Sequence, residues 1–289
     1  MRTLAKPTED ARTVFLICVA GIDDLDLQHR LIQCANLVEN EENTFDVKIK
    51  TNELYTLTQM KVKKSTKTVR VIGGWVTVTE MKDIYTDYFV PVDSPGRKLY
   101  DKILFQPLNG KCPFCFHRQV TTVDHYLPKA YYPLLAVAPL NLVASCKDCN
   151  TGKLAGRPTS SGTEILHPYY DNVEDDVWLK ARVIQTAPAR IEFFVYPPAT
   201  WAPTLKARVL YHFEALELNT LYSAESANEL INIKHQLQEQ YDSGGPNAVK
   251  VHLQDAARSR RKAYVNSWHT ALYTAISNDT WFYSGGYKP

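Results

Sequence analysis

Two Cys-x-x-Cys pairs constrain this chain more than any other feature in it. Cys112 and Cys115 form one pair, Cys146 and Cys149 the other, with 30 residues between them. Four thiolates at that spacing are the ligand set of a tetrahedral structural zinc. A redox Cys-x-x-Cys predicts a single pair near the start of a helix, not two pairs around a polar cluster. The stretch Cys112 to Lys153 is only 42 residues long, too short to bury enough apolar surface to hold its own loops in place. A structural zinc contributes on the order of 10 kcal/mol or more to folding. The four cysteines are therefore expected to staple this segment.

The remaining cysteines, Cys18 and Cys34, lie in apolar or helical contexts and are expected to be small buried hydrophobes. Hydrophobic content of 45% and charged content of 22% are ordinary for a globular protein, and 289 residues leave ample room for a core. A net charge of +2 neither supports nor excludes a nucleic-acid partner, which needs only a local basic surface. The apolar run Val14 to Ala20 has seven residues, against roughly 20 needed to span a bilayer. No membrane association and a cytoplasmic location are expected.

Along the chain, Val14 to Ala20 fits either a buried strand or the first turns of a helix. Asp23 to Glu42 reads as one amphipathic helix, with Leu27, Leu31, Cys34, Leu37 and Val38 on a stripe. Val69 to Ile72 reads as a short strand or an extended segment ending at Gly73-Gly74, and Thr77 to Phe89 and Gly96 to Phe105 as helices. Thr121 to His125 and Asn141 to Val143 read as two strands, and Lys147 to Lys153 as a helix. Trp178 to Gln185 and Arg190 to Tyr196 alternate as a hairpin. Helices are expected over Thr204 to Leu218, Ala224 to Tyr241 and Asn247 to Ser277, the last with a break near Arg260, and a clear break is expected at Ser243 to Pro246. The aromatic tail Trp281 to Tyr287 is expected to pack back onto the body.

A hairpin followed by a helix would gather Asp124, His125, Asn141 and Asn150. With Asp-His at 124–125, Asn-Leu-Val at 141–143 and Cys-x-x-Cys-Asn-x-x-Lys at 146–153, the segment resembles the ββα-metal core of the HNH endonuclease family. The resemblance covers about 42 of 289 residues. It implies an α+β protein with a zinc-stapled ββα-metal core between mainly helical flanks, divided as 1–107, 108–171 and 172–289. It implies that His125 is the general base, a task suited to an imidazole titrating near neutral pH. Asp124 and Asn150 align with the ligands of a catalytic magnesium or manganese, hard cations that favour oxygen. Asn141 aligns with the asparagine that bridges the loop and orients the histidine. The family leaves 5′-phosphate and 3′-hydroxyl ends. The third family letter is often histidine; Asn150 in its place shifts preference away from nitrogen-loving ions.

The layout of helical N-terminus, zinc-bearing core, His-Pro-Tyr-Tyr-Asp stretch and helical C-terminus is similar to HNH subunits of Septu-type anti-phage systems. That implies DNA as substrate and an ABC- or SMC-like ATPase partner, and the chain has no G-x-x-x-x-G-K-[ST] loop of its own. Lys153 is a candidate phosphate contact, His117 a spare ligand and His167 a further residue for the site. Two basic clusters are candidates for steering nucleic acid. One is Lys61, Lys63, Lys64, Lys67 and Arg70; the other is Arg258, Arg260, Arg261 and Lys262, followed by Tyr264 and Trp268. A non-catalytic zinc module that binds nucleic acid or a partner would keep the cysteines but needs no Asp-His-Asn set. An RNA-cleaving toxin on the same core is the third reading.

Overall fold

A computed structural model describes residues 1–60, 69–152 and 157–288. Lys61, Lys63, Lys64, Lys67 and Lys153 lie outside the described residues. The described chain is mixed, with helices and two small two-stranded sheets. It divides into two compact units, Arg2–Asp171 and Asn172–Pro289, Met1 being assigned with the second. No helix among the described residues is long and apolar enough to cross a membrane.

In the first unit, the apolar run near the N-terminus is helical: α1 spans Ala11–Val19 and starts where the Asp10 side chain accepts from Thr13 N. That acceptor meets one of the amide groups a helix start leaves open. The single helix expected over Asp23 to Glu42 is two, α2 (Leu25–Ile32) and α3 (Ala35–Lys50). Cys34 N donates to Leu31 O at 2.8 Å, a three-residue turn that redirects the chain. Leu31, Cys34, Ala35 and Val38 stay buried across the bend. The apolar stripe therefore continued through a break that periodicity could not register.

Val69 to Ile72 forms no strand; only an isolated bridge joins Ile72 and Val76. Helix α4 (Val78–Tyr88) begins with a reciprocal capping box between Thr77 and Glu80, and Glu80 also pairs with Arg30 at 3.0 Å. Helix α5 (Arg97–Leu104) follows Gly96, where a Cβ would lie 2.8 Å from Cys18 Sγ and 2.9 Å from Tyr88 O. Only glycine lets the backbone pass there. Strand β1 (Thr122–His125) pairs antiparallel with β2 (Leu142–Ser145), setting Asp124 opposite Val143 and His125 opposite Leu142. Helix α6 (Lys147–Gly152) follows directly. The N-terminal helices and this central segment share one core, which includes Phe15, Phe45, Met81, Leu127 and Leu142. Cys18 and Cys34 are buried within it, and burial pushes their thiols up to about 12 and about 11.

In the second unit, β3 (Leu179–Ile184) and β4 (Arg190–Val195) form the expected hairpin. Helix α7 is Pro203–Ala215, and α8 runs Leu218–Ala263 with a break at Gly244 and Gly245 ahead of Pro246. Gly245 adopts φ 66° with ψ −161°, a conformation open to glycine. The last long helix is interrupted close to Arg260, ending at Ala263. Tyr264 turns extended, and α9 (Trp268–Asn278) restarts on a Ser267 cap. The break lets the Asn266 amide accept from Trp178 N and Leu179 N at 2.9 and 3.2 Å and donate to Asp176 O at 2.7 Å. Phe282 of the aromatic tail is buried, and Tyr287 donates to Leu237 O at 3.2 Å.

Candidate metal centre and adjoining polar site

Cysteines 112 and 115 sit on a tight turn. Cys112 N donates to Arg118 O and Phe116 N to Cys112 O, each at 2.8 Å, and Phe116 takes φ 49°. Cys146 follows the last residue of β2, and Cys149 lies in the first turn of α6. The four sulfurs converge within 4.8 Å of one another, and all four residues are buried. A zinc with Zn–S bonds of about 2.3 Å has sulfur–sulfur edges of about 3.8 Å, so small adjustments close this set on a metal ion. Backbone N–H groups already point at two sulfurs, Arg118 N at Cys115 Sγ (3.5 Å) and Cys149 N at Cys146 Sγ (3.4 Å). Burial opposes a charge on Cys112, yet hydrogen bonds from the other three thiols outweigh it and hold its thiol well below the usual range. An ion pair between Arg118 and Asp148 (2.8 Å) ties the two halves of the cluster at the surface.

The strand pairing and α6 bring together Asp124 and Asn150. The near end of the Asn150 amide lies 2.8 and 3.0 Å from the two Asp124 carboxylate oxygens, and with nitrogen on that side it donates to both. With its oxygen there instead, two acceptors would face each other at the same separation. Adjacent oxygens around a magnesium at about 2.1 Å are also about 3 Å apart. The pair therefore suits either a direct hydrogen bond or a shared hard cation, and its all-oxygen donor set fits magnesium or manganese better than softer ions. Asp124, His125 and Asn150 are all half-buried, within reach of solvent.

A backbone carbonyl and an aromatic ring both contact His125. Its Nε2 lies 2.8 Å from Ala136 O; a carbonyl only accepts, so Nε2 carries the proton. In the neutral ring, Nδ1 is then the nitrogen able to take a proton. The Tyr85 ring lies 4.4 Å from the imidazole, centroid to centroid, and its hydroxyl donates to Val123 O at 2.5 Å. Burial first, then the nearby Tyr100 and Asp124, push the Tyr85 hydroxyl up, so it stays protonated. Lys129 Nζ stands 4.5 Å from the centroid of the Tyr85 ring. Both residues were missed by sequence reasoning: Tyr85 belongs to a helical apolar stripe, and nothing in the spacing pairs it with His125.

Asn141 is fully buried. Its Oδ1 accepts from Leu127 N (2.7 Å), and its Nδ2 donates to Leu127 O (3.0 Å) and Leu135 O (3.2 Å). It thus clamps the loop that carries Ala136, the acceptor for His125. Glu42 supports the same turn from α3, accepting from Leu140 N (3.1 Å) and Ala11 N (2.7 Å). Burial raises the Glu42 carboxyl above its ordinary value against those two hydrogen bonds. The sequence placed Glu42 only at the end of an amphipathic helix.

His167 does not join the site. It is buried, its Nδ1 accepts from Tyr169 N (3.1 Å), and its Nε2 donates to Leu140 O (3.2 Å). The His-Pro-Tyr-Tyr-Asp stretch instead braces the loop from behind: Tyr169 donates to Leu142 O (2.9 Å) and Tyr170 to Asp46 (2.8 Å). Of the second basic cluster, Arg258 pairs with Asp255. Arg260 lies 3.6 Å from Glu229, its guanidinium 3.7 Å over the Tyr273 ring. Trp268 is buried, which removes it as a stacking platform.

Protein ea31 of Escherichia phage lambda is 27% identical over 237 residues, 81% of this chain and 79% of that protein. Septu protein PtuB of Bacillus thuringiensis is 36% identical over 106 residues, 35% of this chain; the chain spans 40% of that protein's length. No family model and no solved structure matches the chain.

Proposed function

We propose that this chain is a metal-dependent endonuclease of the HNH type that hydrolyses DNA phosphodiester bonds around a zinc-stapled ββα-metal core. The observation that carries the reading is the meeting of Asp124 and Asn150 across β1 and α6, beside an imidazole whose basic nitrogen is set by a backbone carbonyl. A non-catalytic zinc module needs none of these. Cys112, Cys115, Cys146 and Cys149 would hold the structural zinc, and Asp124 with Asn150 the catalytic magnesium or manganese. That second ion, when bound, supplies stabilisation of the negative charge on the phosphorane and the leaving oxygen.

The chain's own residues do the rest. His125 Nδ1 would take a proton from water as its oxygen bonds to phosphorus; the P–O3′ bond breaks and the departing 3′ oxygen takes a proton from solvent water, leaving 5′-phosphate and 3′-hydroxyl ends. The Ala136 carbonyl holds the imidazole through Nε2–H and becomes a better partner as the ring gains charge. Asn141 keeps that carbonyl in place. Partial similarity to a Septu protein supports a role in anti-phage defence. It also favours assembly with an ABC- or SMC-like ATPase, which the Septu-type resemblance implies. The defence role rests on the shorter of the two matches.

Plasmid cleavage tests the reading. Wild type with magnesium or manganese should nick or cut DNA, and His125→Ala should lose at least about a hundredfold, as removal of a general base does. Chelation of the divalent ion should abolish cutting, while zinc content and melting temperature of His125→Ala stay close to wild type. Equal cutting by His125→Ala would remove the general-base role from His125, and no cutting by wild type with the zinc bound would reject this site as a self-sufficient nuclease and favour the binding module.

A further inference from the structure

The β3–β4 hairpin has two edges, and the chain treats them differently. Tyr196 N donates to Trp178 O at 2.7 Å, so with the register Leu179↔Val195 the even-numbered residues of β3 bond to β4. The odd-numbered residues, and their partners on β4, turn their N–H and C=O groups outward. On β4 these outward groups are met. Phe193 N donates to Asn219 Oδ1 at 2.9 Å, and Ile191 O accepts from Ser223 Oγ at 2.8 Å. On β3 only Leu179 N is met, by Asn266 Oδ1 at 3.2 Å. Among the described residues nothing meets the outward N–H and C=O of Ala181 or Val183.

Those groups face a groove of about 690 Å³. Five consecutive residues, Leu179 to Val183, line it. Successive side chains of a strand point to opposite faces, so an unbroken run means that the strand edge itself forms the wall. Helix α9 forms the opposite wall through Ala271, Thr274 and Ala275, small side chains that leave room for larger ones from outside. Lys180, Arg182 and Arg261 also line the groove. Its carboxylate, Asp279, already accepts from Phe282 N at 2.7 Å. Among the described residues Arg261 and Lys180 have no ion-pair partner, and Arg182 pairs with Glu192 across the hairpin.

We infer that this groove receives an extended, acidic segment of a partner protein, which adds to β3 as a third strand. Backbone groups of Ala181 and Val183 supply the pairing. Side chains of the added strand that face α9 are apolar and fill the space above Ala271 and Thr274. Alternate ones stand beside Lys180 on the open face and are acidic, since opposite charges side by side stabilise neighbouring strands. A second copy of this chain is a poor occupant: β3 against β3 would set Lys180 and Arg182 against themselves. The surface lies within Asn172–Pro289 and stands whether or not the central site cuts DNA.

A displayed library of random ten-residue peptides, selected on the whole protein, tests the inference. Enriched sequences should alternate apolar and acidic residues, and a synthetic enriched peptide should slow amide exchange at Ala181 and Val183. Ala181→Pro removes one outward N–H without touching a β3–β4 bond, a position where an edge strand tolerates proline. It should weaken that peptide about tenfold, the effect of about 1.4 kcal/mol. The double variant Lys180→Glu/Arg261→Glu keeps every backbone group and should shift selection to basic peptides. The inference fails if no sequence is enriched, if enriched peptides ignore both variants, or if they protect other amides. A dimer of the protein alone that Ala181→Pro dissociates would give the edge to a second copy and overturn it too.

Discussion

At the scale of single residues, the Asn150 amide against the Asp124 carboxylate is the most informative contact. Replacing it by a carboxylate separates the possible uses of that contact. Asn150→Asp puts two like charges about 3 Å apart, which disfavours ionising both and destabilises the fold at neutral pH. A divalent ion between them removes the repulsion and stabilises the folded state by mass action. The expected outcome is a melting temperature several degrees below wild type in chelator and restored by millimolar magnesium. If magnesium leaves the variant's melting temperature unchanged, the pair is a structural hydrogen bond and holds no cation. His125 shows the same dependence on neighbours: its tautomer follows from Ala136 O, eleven residues away.

At the scale of elements, the loop between β1 and β2 is held from three sides: by Asn141 within it, by Glu42 of α3, and by the 167–171 stretch behind it. Asp46, one turn after Glu42, fastens that last contact. Burial resists its charge, but hydrogen bonds from Lys50, Tyr170 and Lys6 overcome this and lower its carboxyl to about 2. A carboxyl depressed in the folded state contributes stability above its unfolded value of 3.8 and loses it as pH falls toward about 2. After allowance for solvent screening, Asp46→Asn should cost about 1 kcal/mol at pH 7 in urea unfolding. The gap from wild type should narrow between pH 4 and the onset of acid unfolding. A constant gap over that range would mean that packing, not charge, makes the contact.

At the scale of the whole molecule, the chain divides into two compact units, and the cysteine cluster lies in Arg2–Asp171. Cys146→Ser should lose the bound metal, measured by mass spectrometry under native conditions, and melt hydrogen-exchange protection in β1, β2 and α6. A tight chelator should do the same to wild type. Protection in β3, β4 and α9 should persist, because no ligand of the cluster comes from Asn172–Pro289. Retention of full zinc by Cys146→Ser would break the four-cysteine assignment, and simultaneous melting of both units would show that the metal sustains the entire chain.

The sequence by itself determined the elements whose signals are local. Two Cys-x-x-Cys pairs bring their four sulfurs together because a metal site needs ligand type and number before it needs context. The β3–β4 alternation and the Gly-Gly-Pro break were legible because each depends on a few neighbouring residues. It also named Asp124, His125, Asn141 and Asn150 as a set. What only the tertiary structure decided is how that set is oriented. Tyr85 against His125, Glu42 under Leu140 and His167 turned into the core are contacts between residues 27 to 98 positions apart, and spacing along a chain carries no information about them. The bend at Cys34 was hidden for the converse reason: burial on both sides kept the apolar stripe unbroken. The open edge of β3 was equally out of reach, because whether a strand's outward groups find partners depends on which helix side chains arrive beside it, and those arrive only in three dimensions.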